Sequence, residues 1–283
     1  MAMVLRGAEV ALALNEKVAC DVAALRAAGV EPRLAIVRVG ERRDDISYER
    51  GATKRAEKLG VAVKNVLVPV TASTDELVAI IEDLNADASV HGVLLFRPLP
   101  GHIDEDFVCN TLAPAKDIDG ITDLSLAGVF AGKGTGFAPC TPSACMEILK
   151  HYGIDVKGRR AVVIGRSLVG GKPAAQMLLD HHATVTIAHS RTVDLPAVVR
   201  EADIVVACVG CAQMVDRSYL RAGQVIIDVG INVADDGRLL GDVDFEAAVA
   251  VVQAVTPVPD GVGVVTTSVL IKHVVEAAQK AVG

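Results

Sequence analysis

The chain has 283 residues, 51% of them hydrophobic and 22% charged, which excludes a disordered chain and allows one large or two ordinary domains. Lys and Arg total 28 against 35 Asp and Glu, a net charge of −7, so there is no basic excess for a nucleic-acid or anionic-membrane surface. No apolar run is long enough to span a membrane, and the N-terminal MAMVLRGAEV does not read as a signal peptide, so a soluble cytoplasmic protein is expected.

Taken in order, residues 8–28 carry apolar positions at helical spacing and stop at Gly29. Arg33–Val39 reads as a buried strand, 44–59 as a helix ended by Gly60, and Val61–Val70 as a strand. Ser73 and Glu76 form a capping box for a helix running through Leu84. Val90–Phe96 is the next strand, ended by Pro98 and Pro100. Residues 101–139 are irregular and read as a linker or a site-forming stretch. A helix then starts with Thr141 as N-cap and Pro142 in its first position.

A second series follows: strand 160–164, helix 170–180, strand 184–188, helix 194–201, and strands at 204–208, 224–229 and 251–255. A helix closes the chain from about Val264. Alternating strands and helices predict two α/β domains with parallel sheets, divided near residue 139.

The clearest local signal is Ala161-Val-Val-Ile-Gly165-Arg166-Ser167-Leu-Val-Gly170-Gly171. An apolar strand runs into a Gly-rich turn and then a helix, where a dinucleotide pyrophosphate sits on free backbone N–H groups. The following strand ends His189-Ser190-Arg191-Thr192 instead of in the acidic residue that reads a ribose 2′-hydroxyl. A cation and hydroxyls there suit a 2′-phosphate, so NADP is favoured over NAD, with Arg166 a second cation close by. The next strand ends at Gly210, where backbone can approach the nicotinamide half. Cys208 and Cys211 have metal spacing but no second Cys/His pair near them, so no metal site is predicted.

Several short motifs in one order resemble the methylenetetrahydrofolate dehydrogenase/methenyltetrahydrofolate cyclohydrolase family over nearly the whole chain. They include Tyr48, Pro98-Leu99-Pro100, Lys116-Asp-Ile-Asp119-Gly120, Pro139-Cys-Thr-Pro142 and Gly165-Arg-Ser167. His189-Ser-Arg-Thr192, Asp228-Val-Gly-Ile-Asn232, Gly241-Asp-Val243 and Thr256-Pro-Val-Pro259 complete the set. The resemblance implies an N-terminal α/β folate domain (1–138, joined by the final helix 265–283) and a C-terminal doubly wound Rossmann-type domain (139–264), with the site in the cleft between them. It implies a homodimer whose substrate is a tetrahydrofolate. It implies a folate surface of Tyr48, Phe96, Pro98, Leu99, Asp119 and Pro257, with Tyr48 and Asp119 as the chemical groups. Gly165, Arg166, Ser167, Ser190 and Ile231 are the implied cofactor contacts, to which the residue reading adds Arg191 and Gly210.

The sequence departs from that family at two points. Ala52 stands where the family carries a catalytic lysine, four residues after the tyrosine, and Phe96 stands where it carries the lysine's glutamine partner. Lys54 is the nearest candidate replacement, although two residues along a helix is about 200° of rotation and turns it away; Arg97 is another. Hydride removal needs placement, whereas hydration and ring opening need protons moved. The expectation is a dehydrogenase with weak or lost cyclohydrolase. The alternatives are the fully bifunctional enzyme, another two-domain NADP dehydrogenase, and a non-catalytic cofactor-binding paralogue.

Overall fold

A computed structural model describes residues 2–282. In chain order the elements are β1 (Met3–Val4), α1 (Gly7–Ala27), β2 (Arg33–Val39), α2 (Arg43–Lys58), β3 (Ala62–Val68), α3 (Thr74–Ala86) and β4 (Gly92–Leu95). Then come α4 (Glu105–Thr111), α5 (Asp123–Ala131), α6 (Cys140–His151), β5 (Arg160–Ile164), α7 (Gly171–Asp180) and β6 (Thr184–Ala188). The chain continues through α8 (Leu195–Arg200), β7 (Ile204–Ala207), β8 (Val225–Asp228), β9 (Asn232–Val233) and β10 (Leu239–Leu240). It ends with α9 (Phe245–Val249), β11 (Ala254–Val255) and α10 (Val262–Val282).

The chain forms two compact α/β units. One runs from Ala13 to Cys140 and takes in the C-terminal segment from Thr267. Its three-stranded sheet has the order β3-β2-β4, with both pairings parallel. Central β2 is buried along nearly its whole length and edge strand β4 throughout, while the other edge strand, β3, is half-buried or exposed until Val68. Leu77 and Ile81 of α3 lie under this sheet with Val37, Val93 and Leu95. Burying each such side chain stabilises the unit by about 1.5–3 kcal/mol. The reciprocal Ser73–Glu76 capping box that starts α3 is formed as expected.

The stretch 101–139, expected to be irregular, contains two helices. Asp104 caps α4 and Thr122 caps α5 through their side chains. Val108 and Cys109 of α4 enter the core, and Asp117 bridges to Val93 beside the sheet. Helices of 7 and 9 residues are too short to show a periodic apolar stripe, so the sequence pattern hides them. α6 begins at Cys140, one residue before the expected cap, which puts Pro142 inside the first turn where no N–H is needed.

The other unit comprises the chain up to Leu12 together with Thr141–Thr266. Its six-stranded sheet has the order β6-β5-β7-β8-β11-β1, parallel throughout. β5, β7 and β8 are nearly continuous Val, Ile and Ala runs buried on both faces. The order of the first four sequential strands reverses between β5 and β7. That reversal is the topological switch of an open α/β sheet, outside whose strand ends ligands bind. The strand expected at 251–255 is only the two residues of β11, and the β9–β10 hairpin was not foreseen.

Among the described residues, no helix is long and apolar enough to cross a membrane.

Candidate functional site

In the unit built on β2, helix α2 presents Tyr48, Ala52 and Arg55 on one stripe, spaced four and three residues apart. These three line one surface depression with Asp44, Ser47, Gly51 and Thr267. The Tyr48 ring meets the Phe96 ring edge-on, with centroids 5.6 Å apart and planes at 77°. Phe96 is held at the end of β4, where its N–H donates to the Val37 carbonyl at 3.0 Å. Tyr48 remains 45% exposed, so part of it is open to a ligand.

The two aspartates after β4 have different duties. Asp117 is fully buried, and its carboxylate accepts the backbone N–H groups of Ile121 at 2.9 Å and Thr122 at 2.8 Å. Among the described residues Asp119 accepts no backbone N–H; burial pushes its carboxyl up to about 6, opposed by the neighbouring Cys140 thiol. Its charge reaches Tyr48. The phenol is pushed up to about 12, first by burial and then by Asp119 and Cys140, with Arg55 pulling the other way. Tyr48 is therefore a protonated donor at neutral pH, and Asp119 an acceptor close to its titration point. Behind them His273 Nδ1 donates to the Ile118 carbonyl at 2.8 Å, and the Cys140 thiol also donates to it at 3.2 Å.

Ala52 is buried at 1% exposure and Phe96 at 9%, so neither brings a polar group to this wall. Lys54 lines a different depression, with Arg38, Glu49, Arg50, Glu57 and Asn65. It therefore does not stand among the groups around Tyr48, as its rotation along the helix implies. Arg97 is engaged with Glu105 at 3.8 Å, and Glu105 also accepts the Leu99 N–H at 2.6 Å. Pro98 is exposed, and its carbonyl accepts from Arg42 at 3.3 Å. The basic residue on the depression's wall is Arg55, which sequence reasoning missed. The available signal was its position seven residues after Tyr48, on the same helical face.

In the other unit the Gly-rich turn follows β5. Gly165 has φ +124°, and its N–H donates to the Ala188 carbonyl at 2.9 Å. A Cβ at Gly165 would run into the Cys208 carbonyl, and one at Gly171 into the carbonyl of Gly165. The glycines thus set a tight strand–turn–helix crossing at the β5/β7 switch point, with α7 opening behind it. Arg166, Ser167, Ser190 and Arg191 are all exposed there. The Arg191 N–H donates to His189 Nδ1 at 3.1 Å, and the His189 N–H to Thr192 Oγ1 at 2.9 Å, which shapes the turn after β6. Among the described residues, neither the Arg166 nor the Arg191 side chain has a hydrogen bond or ion pair.

The loop with Gly210 is held from below. The Asp242 carboxylate accepts the N–H groups of Val209 at 2.6 Å, Gly210 at 3.1 Å and Cys211 at 2.9 Å. Asp228 accepts those of Gly230, Asp242 and Val243 at 2.9, 3.0 and 3.0 Å, and burial pushes its carboxyl up to about 6. These two carboxylates fix the strand ends. Ile231 is 64% exposed and shares a depression with Pro257, Leu239 and Gly263. Pro257 thus belongs to this unit and not to the one that carries Tyr48. A glycine cradle without side chains and two unpartnered arginines on its rim fit a phosphorylated dinucleotide.

Comparison with known proteins agrees with both halves of the chain. The family model described as the tetrahydrofolate dehydrogenase/cyclohydrolase catalytic domain matches residues 5–119. The model of that family's NAD(P)-binding domain matches residues 139–282. The bifunctional protein FolD 1 of Desulfitobacterium hafniense is 48% identical over 99% of both chains. The crystal structure of the bifunctional FolD methylenetetrahydrofolate dehydrogenase/cyclohydrolase from Campylobacter jejuni is 35% identical, with a TM-score of 0.96 over 99% of both chains. The Trypanosoma brucei enzyme, complexed with NADP and an inhibitor, is 34% identical, with a TM-score of 0.93 over 99% of this chain and 98% of that one.

Proposed function

Since this chain belongs to the tetrahydrofolate dehydrogenase/cyclohydrolase family, we propose that it oxidises 5,10-methylenetetrahydrofolate to the methenyl cation with NADP, and then hydrates that cation to 10-formyltetrahydrofolate. The observation that carries this reading is the pairing of a half-exposed Tyr48, packed against Phe96, with a carboxylate, Asp119, that no backbone amide among the described residues consumes. A pterin offers donors on its amino group and ring nitrogens, which Asp119 accepts. Tyr48 gives the flat face on which an aromatic substrate stacks.

A bound nicotinamide dinucleotide supplies the hydride acceptor. The residues that would hold it are Gly165, Arg166, Ser167, Ser190, Arg191, Gly210 and Ile231. Arg166 and Arg191 favour NADP over NAD, because an unpartnered guanidinium gains more from an anionic phosphate, which it can grip with two parallel bonds, than from a neutral hydroxyl. For the first step the chain has to place its substrate and exclude competing geometries, which rigid Phe96–Tyr48 packing does. A homodimer is the assembly that the family resemblance implies.

The relatives' names support both steps over oxidation alone. A second reading, oxidation with slow hydrolysis, is favoured by the methyl of Ala52 and the ring of Phe96, which move no protons. One absorbance experiment separates them. Purified protein is given methylenetetrahydrofolate with NADP or NAD, and reduced nicotinamide and methenyl product are followed together. Methenyl consumed faster than its uncatalysed decay supports the bifunctional reading, and methenyl that accumulates supports the second. No reduction of either nucleotide overturns both.

A further inference from the structure

Arg55 is a half-buried cation with no carboxylate within ion-pair distance among the described residues. Its Nη1 donates to the Ser268 hydroxyl at 3.3 Å, and Ser268 is fully buried on α10. A helical side chain leans toward the helix N-terminus, over the turn before its own Cα. Arg55 thus leans over the turn that carries Ala52, and it lines one depression with Ala52 and Tyr48. The pull of its charge on the Tyr48 phenol accords with that placement. A tethered, unpaired guanidinium facing a depression is a site for negative charge on a ligand.

We infer that Arg55 stabilises the negative oxygen formed when the hydrated one-carbon bridge opens, acting as a fixed cation, so that hydrolysis proceeds without a lysine at position 52. The inference rests on the proposed function. Water adds through its oxygen to the methenyl carbon and releases one proton to solvent, leaving a neutral carbinol. The carbinol hydroxyl then loses its proton to a second water, and its oxygen becomes anionic beside Arg55. A lone pair on that oxygen forms the C=O bond as the bond from carbon to N5 breaks. The electrons of the broken bond pass to N5, which takes a proton from water. The sum is methenyl cation plus water giving the 10-formyl product and one proton. A guanidinium stays charged throughout the neutral range and cannot shuttle these protons, so its contribution is electrostatic. A preorganised donor of this kind is worth roughly 100- to 1,000-fold in rate.

The test is methenyltetrahydrofolate hydrolysis between pH 6 and 9 in the wild-type chain, Arg55→Met, Arg55→Lys and Ser268→Ala, with methylenetetrahydrofolate oxidation measured on the same samples. The Met variant is expected to lose about 100-fold in hydrolytic kcat with a smaller change in KM. The Lys variant is expected to recover most of that rate and to add a limb that falls as the lysine deprotonates at high pH. Ser268→Ala, which only frees the guanidinium, should lose several-fold, and it decides the question if Arg55→Met does not fold. Wild-type hydrolysis by the Met or Ala variant overturns the inference, as does an equal loss of both steps, which marks a structural role. A wild-type chain that oxidises its substrate but does not accelerate ring opening also overturns it, and leaves the oxidation step standing. A chain that does neither defeats the proposed function itself.

Discussion

Tyr48 and Phe96 meet edge to face, with ring centroids 5.6 Å apart, although one sits in the middle of a helix and the other just past the end of a strand. The contact fixes the tyrosine ring while leaving it 45% exposed. Phe96, which stands where the family carries the glutamine partner of its lysine, thus has a positive structural duty. Phe96→Ala is expected to cost about 3–5 kcal/mol of stability, the usual range for a buried phenylalanine. It should also raise KM for the folate more than it lowers kcat. Urea denaturation and steady-state oxidation kinetics check the two halves.

Asp119 makes stability depend on pH. Its ordinary value is 3.8 and burial pushes it up to about 6, so the folded protein favours the protonated form. That stabilisation is complete below pH 3.8 and is lost as pH rises through 6. Asp119→Asn keeps the neutral shape at all pH values. Relative to wild type it should gain stability between pH 4 and pH 7, by at most about 3 kcal/mol. It should also lose folate binding, because an amide cannot accept from the same set of donors. Denaturation curves at pH 4 and pH 7.5 measure the first effect, and equality of the two differences would refute it.

Gly165→Ala places a methyl group against the Cys208 carbonyl at a φ of +124° that L-residues rarely adopt. The β5–α7 crossing has to open to admit it. NADP affinity is expected to fall at least tenfold, read by fluorescence titration of the reduced nucleotide. The thermal transition should drop as well.

Arg191→Ala is expected to raise KM for NADP about tenfold or more and to leave KM for NAD within a factor of two. The reason is that a charge-assisted bond to a phosphate is worth roughly 1.5–3 kcal/mol. An equal effect on both nucleotides would show that Arg191 only shapes its loop.

Asp228→Ala removes the acceptor of three backbone N–H groups, those of Gly230, Asp242 and Val243. Each stranded donor costs about 1–3 kcal/mol. The nucleotide unit should therefore be strongly destabilised, as seen by hydrogen exchange in the 228–243 loop. Asp228→Asn, which retains one acceptor oxygen, should be milder.

Much of this protein is determined by local sequence. Continuous Val and Ile runs mark the central strands, Ser73 with Glu76 marks a helix start, and Gly165 marks the Gly-rich turn after β5, because each is specified by its own neighbours within a few residues. Ala52 and Phe96 are equally plain as absences of polar groups. What only the tertiary structure decided are the relationships that span many residues. α4 and α5 are too short to carry a pattern and are held by burial. β1 joins the sheet through β11, across some 250 residues of chain. Asp117 and Asp119 look alike in sequence, and only the amides of Ile121 and Thr122 separate the structural carboxylate from the free one. Arg55 acquires its place because α10 brings Ser268 to it from 213 residues away. Packing, not spacing, selects which of several similar side chains faces the depression, since the chain's own periodicity says only which residues share a face.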